Sequence, residues 1–139
     1  MAHSAPQGIS TKELNQMARS TLPKTTVLSS YPTLPLTATS ADLVLTATTG
    51  SSGSSGNQIA FGAGDLIVIV QNTHATNAYT VTFTSKADKF NRTGDITTYS
   101  LAAGVVSVFH FKADGWRQAD GYLYCEATNA AMKIAAFDV

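Results

Sequence analysis

The chain has 139 residues, with nine Lys+Arg balancing nine Asp+Glu and only 13% of residues charged. That length fits one domain with a core large enough to stand without metals or disulfides, and the low, balanced charge argues against a nucleic-acid binder, which needs a basic patch to hold phosphates. The single cysteine, Cys125, excludes an intrachain disulfide, and the longest apolar run, Leu66–Val70, falls far short of the ~20 residues that cross a bilayer.

Residues 1–41 read as an N-terminal arm. The opening Met1-Ala2-His3-Ser4-Ala5-Pro6-Gln7 lacks the apolar stretch of a signal peptide, so the expectation is assembly in a cytoplasm. Lys12 to Arg19 has the pattern of a short helix, capped by Ser10 or Thr11, with Leu14, Met17 and Ala18 as a narrow apolar stripe. So short a helix is marginal alone and needs a surface to lie on. Prolines 23, 32 and 35 then favour extended backbone. Leu14, Met17, Leu22, Tyr31, Leu34 and Leu36 are too irregularly spaced for one helix or strand face. The arm is expected to dock these side chains on a neighbouring subunit; the alternative is a solvated tail, which would carry fewer apolar residues.

Residues 42–139 read as an all-β domain, a β-sandwich or jelly roll. Leu43 to Ala47 is the first strand candidate. Thr49 to Asn57 is a Ser/Gly loop of the kind found at a mobile hairpin tip. It leads into a strand and carries no GK[ST], so it is no phosphate cradle. Strands are then expected at Gln58–Phe61, Leu66–Asn72, Tyr79–Thr84, Ile96–Ser100, Val105–Phe111, Tyr122–Glu126 and Met132–Phe137. Tyr79, Val81 and Phe83 alternate with threonines, which marks one buried and one wet face. Leu66 to Val70 is apolar on both faces and is expected in the middle of a sheet, covered on both sides. Turn signals separate the strands, among them Asn91-Arg92-Thr93-Gly94-Asp95, Ala102-Ala103-Gly104 and Asp114-Gly115.

No cluster of reactive side chains stands out, and neither a cofactor nor catalytic chemistry is expected. His3, His74 and His110 have no metal-ligand spacing, and Cys125 has no companion. His110 reads as a polar residue on a strand's wet face, and Cys125 as a buried, inert thiol. There is no GxSxG elbow. Asp88, Asp95, Asp114 and Asp120 sit beside turns, where Asp caps backbone N–H groups. Lys86, Lys89 and Arg92 form a small basic cluster, read either as a solvated loop or as a contact for acidic groups on a partner. Trp116, with Tyr122 and Tyr124 shortly after, is core, an interface anchor or a sugar-stacking platform.

From Gly64 to Val139 the order of strands and turns resembles a family of small bacteriophage head-decoration, or cement, proteins with minor capsid roles. The resemblance rests on Leu66–Val70 leading into Gln71-Asn72, on Tyr79 to Ser85, and on Asp95 to Leu101 with the Ala102-Ala103-Gly104 turn. It continues through Val105 to Phe111, Trp116 to Gly121, Tyr122 to Glu126 and Met132 to Phe137. Trp116 stands where a shorter apolar residue is more usual. The resemblance implies a structural virion protein bound to the major capsid protein on the outside of a phage head, as a homo-oligomer, commonly a trimer, stiffening the shell against internal DNA pressure. No nucleic-acid or membrane partner is implied. A carbohydrate-binding or host-recognition module on the same fold is the second reading, and an enzyme ranks below both.

Overall fold

The computed structural model describes residues 19–27, 42–49 and 56–139. The expected helix with Leu14 and Met17, the proline-spaced Tyr31, Leu34 and Leu36, His3 and the tip of the Ser/Gly loop lie outside the described residues. What is described is an all-β sandwich of two sheets. Its strands are β1 (Ser20–Thr21), β2 (Thr46–Ala47), β3 (Asn57–Ala60), β4 (Leu66–Asn72), β5 (Tyr79–Thr84), β6 (Ile96–Leu101), β7 (Val106–Phe111), β8 (Tyr122–Ala127) and β9 (Met132–Asp138). One sheet runs β1-β3-β8-β5-β6, the other β2-β9-β4-β7. A single helical turn, Ala113–Trp116, is closed by the Arg117 N–H on the Ala113 carbonyl and broken by extended Asp114 and left-handed Gly115.

The period-2 pattern sorts side chains between core and surface. From the four-stranded sheet Leu66, Val68 and Val70 of β4, Phe111 of β7 and Ile134 of β9 turn inward and are buried. From the five-stranded sheet Ile59, Val81, Phe83, Leu101 and Leu123 meet them. Phe83 locks the two sheets together, with its ring 5.0 Å from Phe109 and 4.6 Å from Phe111. Tilted pairs at such distances add about 0.5–1.5 kcal/mol beyond their buried area. Asn72 is the buried polar link at one end of the core. Its Nδ2 donates to the Asn77 and Leu101 carbonyls and its Oδ1 accepts the His74 N–H, so no hydrogen-bonding group there is stranded.

Expectations change at the first strand candidate, which covers only Thr46–Ala47, at β4 and at the arm. β4 is central in its sheet, but only one face of it is covered: Ile67 and Ile69 are half-buried on the outer side of the sandwich. An antiparallel two-sheet fold needs only one apolar face per strand, so the unbroken apolar run does not imply a second layer.

Part of the expected arm, residues 19–27, belongs to the domain. Arg19 to Val27 straps the edge of the sandwich. The Ser20 and Leu22 N–H groups donate to the Gly56 and Gln58 carbonyls of one sheet, and the Thr25 N–H donates to the Ala136 carbonyl of the other. β1 pairs in parallel with β3. Leu22, expected to seek a neighbouring subunit, is 4% exposed and belongs to the chain's own core. Pro23 directs the chain from one sheet to the other, and Lys24 then pairs with Asp138 at 2.9 Å. Among the described residues, the sandwich therefore includes 19–27 as well as 42–49 and 56–139.

Hydrogen-bond phase decides which strand edges remain open. The Asn72 N–H donates to the Val105 carbonyl, and the Val139 N–H to the Asp65 carbonyl. With the observed registers, even-numbered residues of β4 bond β7 and odd-numbered ones bond β9. On β9 the outward-pointing Met132 and Ala136 carbonyls are taken by Thr48 and Thr25. On β7 the N–H and C=O groups of Val106, Val108 and His110 point away from β4, and no strand among the described residues lies beyond them.

Candidate partner-binding site

The basic cluster read from the sequence is the head of a loop between β5 and β6. Its neck is a clasp: the Ser85 N–H and hydroxyl both donate to Asp95 Oδ1, at 2.8 and 2.7 Å, and the Gly94 N–H donates to Ser85 Oγ at 2.9 Å. The Ser85 hydroxyl, with its backbone N–H behind it, holds the Asp95 carboxyl below its usual range. The head is organised by Asp88. Its Oδ1 accepts the Phe90 and Arg92 N–H groups, and its Oδ2 accepts Arg92 Nε at 2.8 Å and faces Nη2 at 2.7 Å. The Arg92 guanidinium is the main reason the Asp88 carboxyl lies below its usual range, and the same bond raises Arg92. Asn91 takes a left-handed φ of 64°, a conformation Asn tolerates well, to close the turn.

This scaffold presents Phe90. The residue is 66% exposed, with the Arg92 guanidinium 5.0 Å and the Lys89 ammonium 5.2 Å from its ring centroid. Cations over a ring face are attracted by its quadrupole, so the flanks hold the ring without covering it. Charge alone picks out Lys86, Lys89 and Arg92 in the sequence and passes over Phe90. The available signal was an aromatic residue set between cations in Lys89-Phe90-Asn91-Arg92.

Beneath the loop lies a cleft of about 240 Å³, walled by Lys86, Asp88, Arg92, Asp114 and Trp116. The Lys86 N–H donates to the Gly115 carbonyl and Gln118 Nε2 to the Thr84 carbonyl, which joins loop and turn. Trp116 stands edge-on to Phe111 at 4.7 Å, so one side of the indole packs on the core while it also walls the cleft. Lys86, Arg92 and Trp116 are thus brought together, with Lys89 on the rim beside Phe90. The cleft is smaller than the roughly 300–1,000 Å³ of small-molecule sites and fits a single side chain better than a substrate.

The other aromatics sit elsewhere. Tyr122 and Tyr124 lie on the outer face of β8, whereas Trp116 packs against the core. The Tyr124 ring face is occupied by the Arg19 guanidinium, 4.1 Å from its centroid. Its hydroxyl bonds Asp120, and burial is the main cause pushing Tyr124 up to about 12. Arg19 in turn bonds Glu126 at 2.6 Å and the Asn57 carbonyl at 3.0 Å. His110 stands on the outer face of β7, 3.0 Å from Asp65. Cys125 is fully buried, and burial pushes its thiol up to about 12. No protein-family model, curated protein or solved structure matches this chain at a significant level.

Proposed function

We propose that this chain is a structural virion protein that binds the outer surface of a phage head, with Phe90 as the anchor that enters the major capsid protein. The phage setting comes from the strand-and-turn resemblance of residues 64–139. The observation that carries a binding role is a large aromatic side chain held in solvent by a loop clasped at Ser85–Asp95 and Asp88–Arg92. Pre-ordering a loop lowers the entropy cost of association. Aromatic and Arg side chains dominate interface energetics. Lys86, Lys89 and Arg92 then meet acidic groups at the rim, and the cleft beside Trp116 receives one partner side chain.

The test is binding of the purified chain to phage heads that lack it. Phe90→Ala should weaken binding at least about tenfold, as loss of a central aromatic anchor does. Val44→Ala, which trims another exposed apolar side chain far from the loop, should leave binding unchanged. Equal affinity of the Phe90→Ala variant and the parent chain would remove Phe90 from the contact.

A further inference from the structure

The four strand edges of this sandwich are not treated alike. β1 and β2 are two residues each, and the 19–27 strap closes their side of the molecule. β6 is blunted. Its register with β5 shifts between Val81 and Phe83, Thr98 has a left-handed φ of 49°, and the Thr98 N–H turns back onto Thr82 Oγ1. Of its exposed residues Tyr99, 45% exposed, sets its ring edge-on to Phe109, and Thr97, Thr98 and Ser100 are polar. These are the devices by which edge strands avoid pairing with other chains. β7 has none of them. It is six residues long and regular in register, and it lacks Pro, Lys and a bulge. Among the described residues no strand pairs with its outer side, which carries the N–H and C=O groups of Val106, Val108 and His110. Val106 is 50% exposed and Val108 63%.

We propose that β7 is a homophilic docking edge, through which two copies of this chain join antiparallel and fuse their four-stranded sheets into one. A two-fold axis at Val108 sets Val108 opposite Val108 of the second copy and Val106 opposite its His110. The open-edge N–H and C=O groups are then paired on both strands. Ile67 and Ile69, half-buried beside Val108 and His110, extend the apolar stripe across the joint. The charges permit self-association. β7 holds no Lys, Arg, Asp or Glu. The nearest ones, Asp65 and Lys112, flank its end, and in this register Lys112 falls opposite Gly104. No like charges meet, and a chain of net charge zero has little long-range self-repulsion. A copy of the same strand therefore suits the edge without an introduced clash. The inference does not depend on the phage reading.

Sedimentation of the full chain over a concentration series is the test, read beside amide hydrogen exchange. The expected result is a dimer whose Val106, Val108 and His110 amides gain protection as concentration rises. Val108→Lys puts like charges face to face at the axis and should raise the dimer dissociation constant at least about tenfold. Position 108 is exposed, so circular dichroism and thermal melting should report an intact fold in that variant. Thr97→Lys, on the blunted β6 edge, should leave the dimer intact. A chain that stays monomeric at high concentration, a trimer, or a dimer indifferent to Val108→Lys would overturn the proposal.

Discussion

Arg19 and Glu126 form an ion pair whose side chains are 8% and 17% exposed. Arg19 Nε is buried without a hydrogen-bond partner among the described residues, so the pair recovers little beyond its own desolvation. Losing one member is a different matter, because the other charge is then left half-desolvated. Arg19→Met should destabilise the fold by about 2–4 kcal/mol in urea titration, and Arg19→Met combined with Glu126→Leu should recover most of that loss. Additive losses in the double variant would show that the pair is not coupled. Cys125 gives a simpler test. With its thiol buried and pushed up to about 12, it should not react with a disulfide reagent at neutral pH until the chain unfolds. Rapid labelling of the native protein would contradict its placement. Asp65, Asp88 and Asp95, each held below the ordinary value of 3.8 by hydrogen bonds in the folded chain, contribute to stability on the acid side. Depressed carboxyls stabilise the fold above 3.8, and that contribution disappears as pH falls through the lowered values. The melting temperature should therefore hold down to about pH 4 and drop below it, with Asp95→Asn showing a smaller acid drop than the parent. A melting temperature that does not change down to about pH 2 would mean these bonds contribute nothing.

At the level of elements, the strap is the part that sequence reasoning could not place. β4 to β9 were legible because each is four or more residues of alternating or continuous apolar character ended by Gly, Asn or Asp turns. β1 is only Ser20–Thr21, and its pairing with β3 is set by contacts far along the chain. Leu22 looked like one more scattered arm residue because nothing adjacent shows that it fills the edge of a core. The first strand candidate is only Thr46–Ala47 for the complementary reason: Leu43 and Val44 are apolar but pair with no strand among the described residues, the Val44 N–H donates to Thr25 Oγ1, and both stand exposed. The candidate site was half legible. Charge marked Lys86, Lys89 and Arg92, whereas Phe90 is conspicuous only once the Asp88 turn holds it in solvent. The strap can be tested by truncation. Removing residues 1–27 takes away Leu22, Lys24 and the Arg19 pair, and burial of Leu22 alone is worth about 1.5–3 kcal/mol. That truncation should lose several kcal/mol more than removal of residues 1–18. Equal stability of the two truncations would mean the strap adds nothing. Gly56→Ala should weaken the same edge, because a Cβ there would lie 2.7 Å from the Glu126 side chain and 2.9 Å from the Cys125 carbonyl. A variant as stable as the parent would show that the edge yields at no cost.

At the largest scale, the two sheets, the strap and the clasped loop make a body with few charges and an aromatic side chain, Phe90, held in solvent. Such a body is suited to lying against another protein, and the phage-head reading gives that body a place. Cryo-electron microscopy of particles assembled with and without the chain tests this most directly. The expected result is added density on the outer face of the head, present only with the chain, into which the sandwich fits with the Phe90 loop turned toward the major capsid protein. Density confined to the tail, density that places the Phe90 loop away from the shell, or particles identical with and without the chain would contradict it.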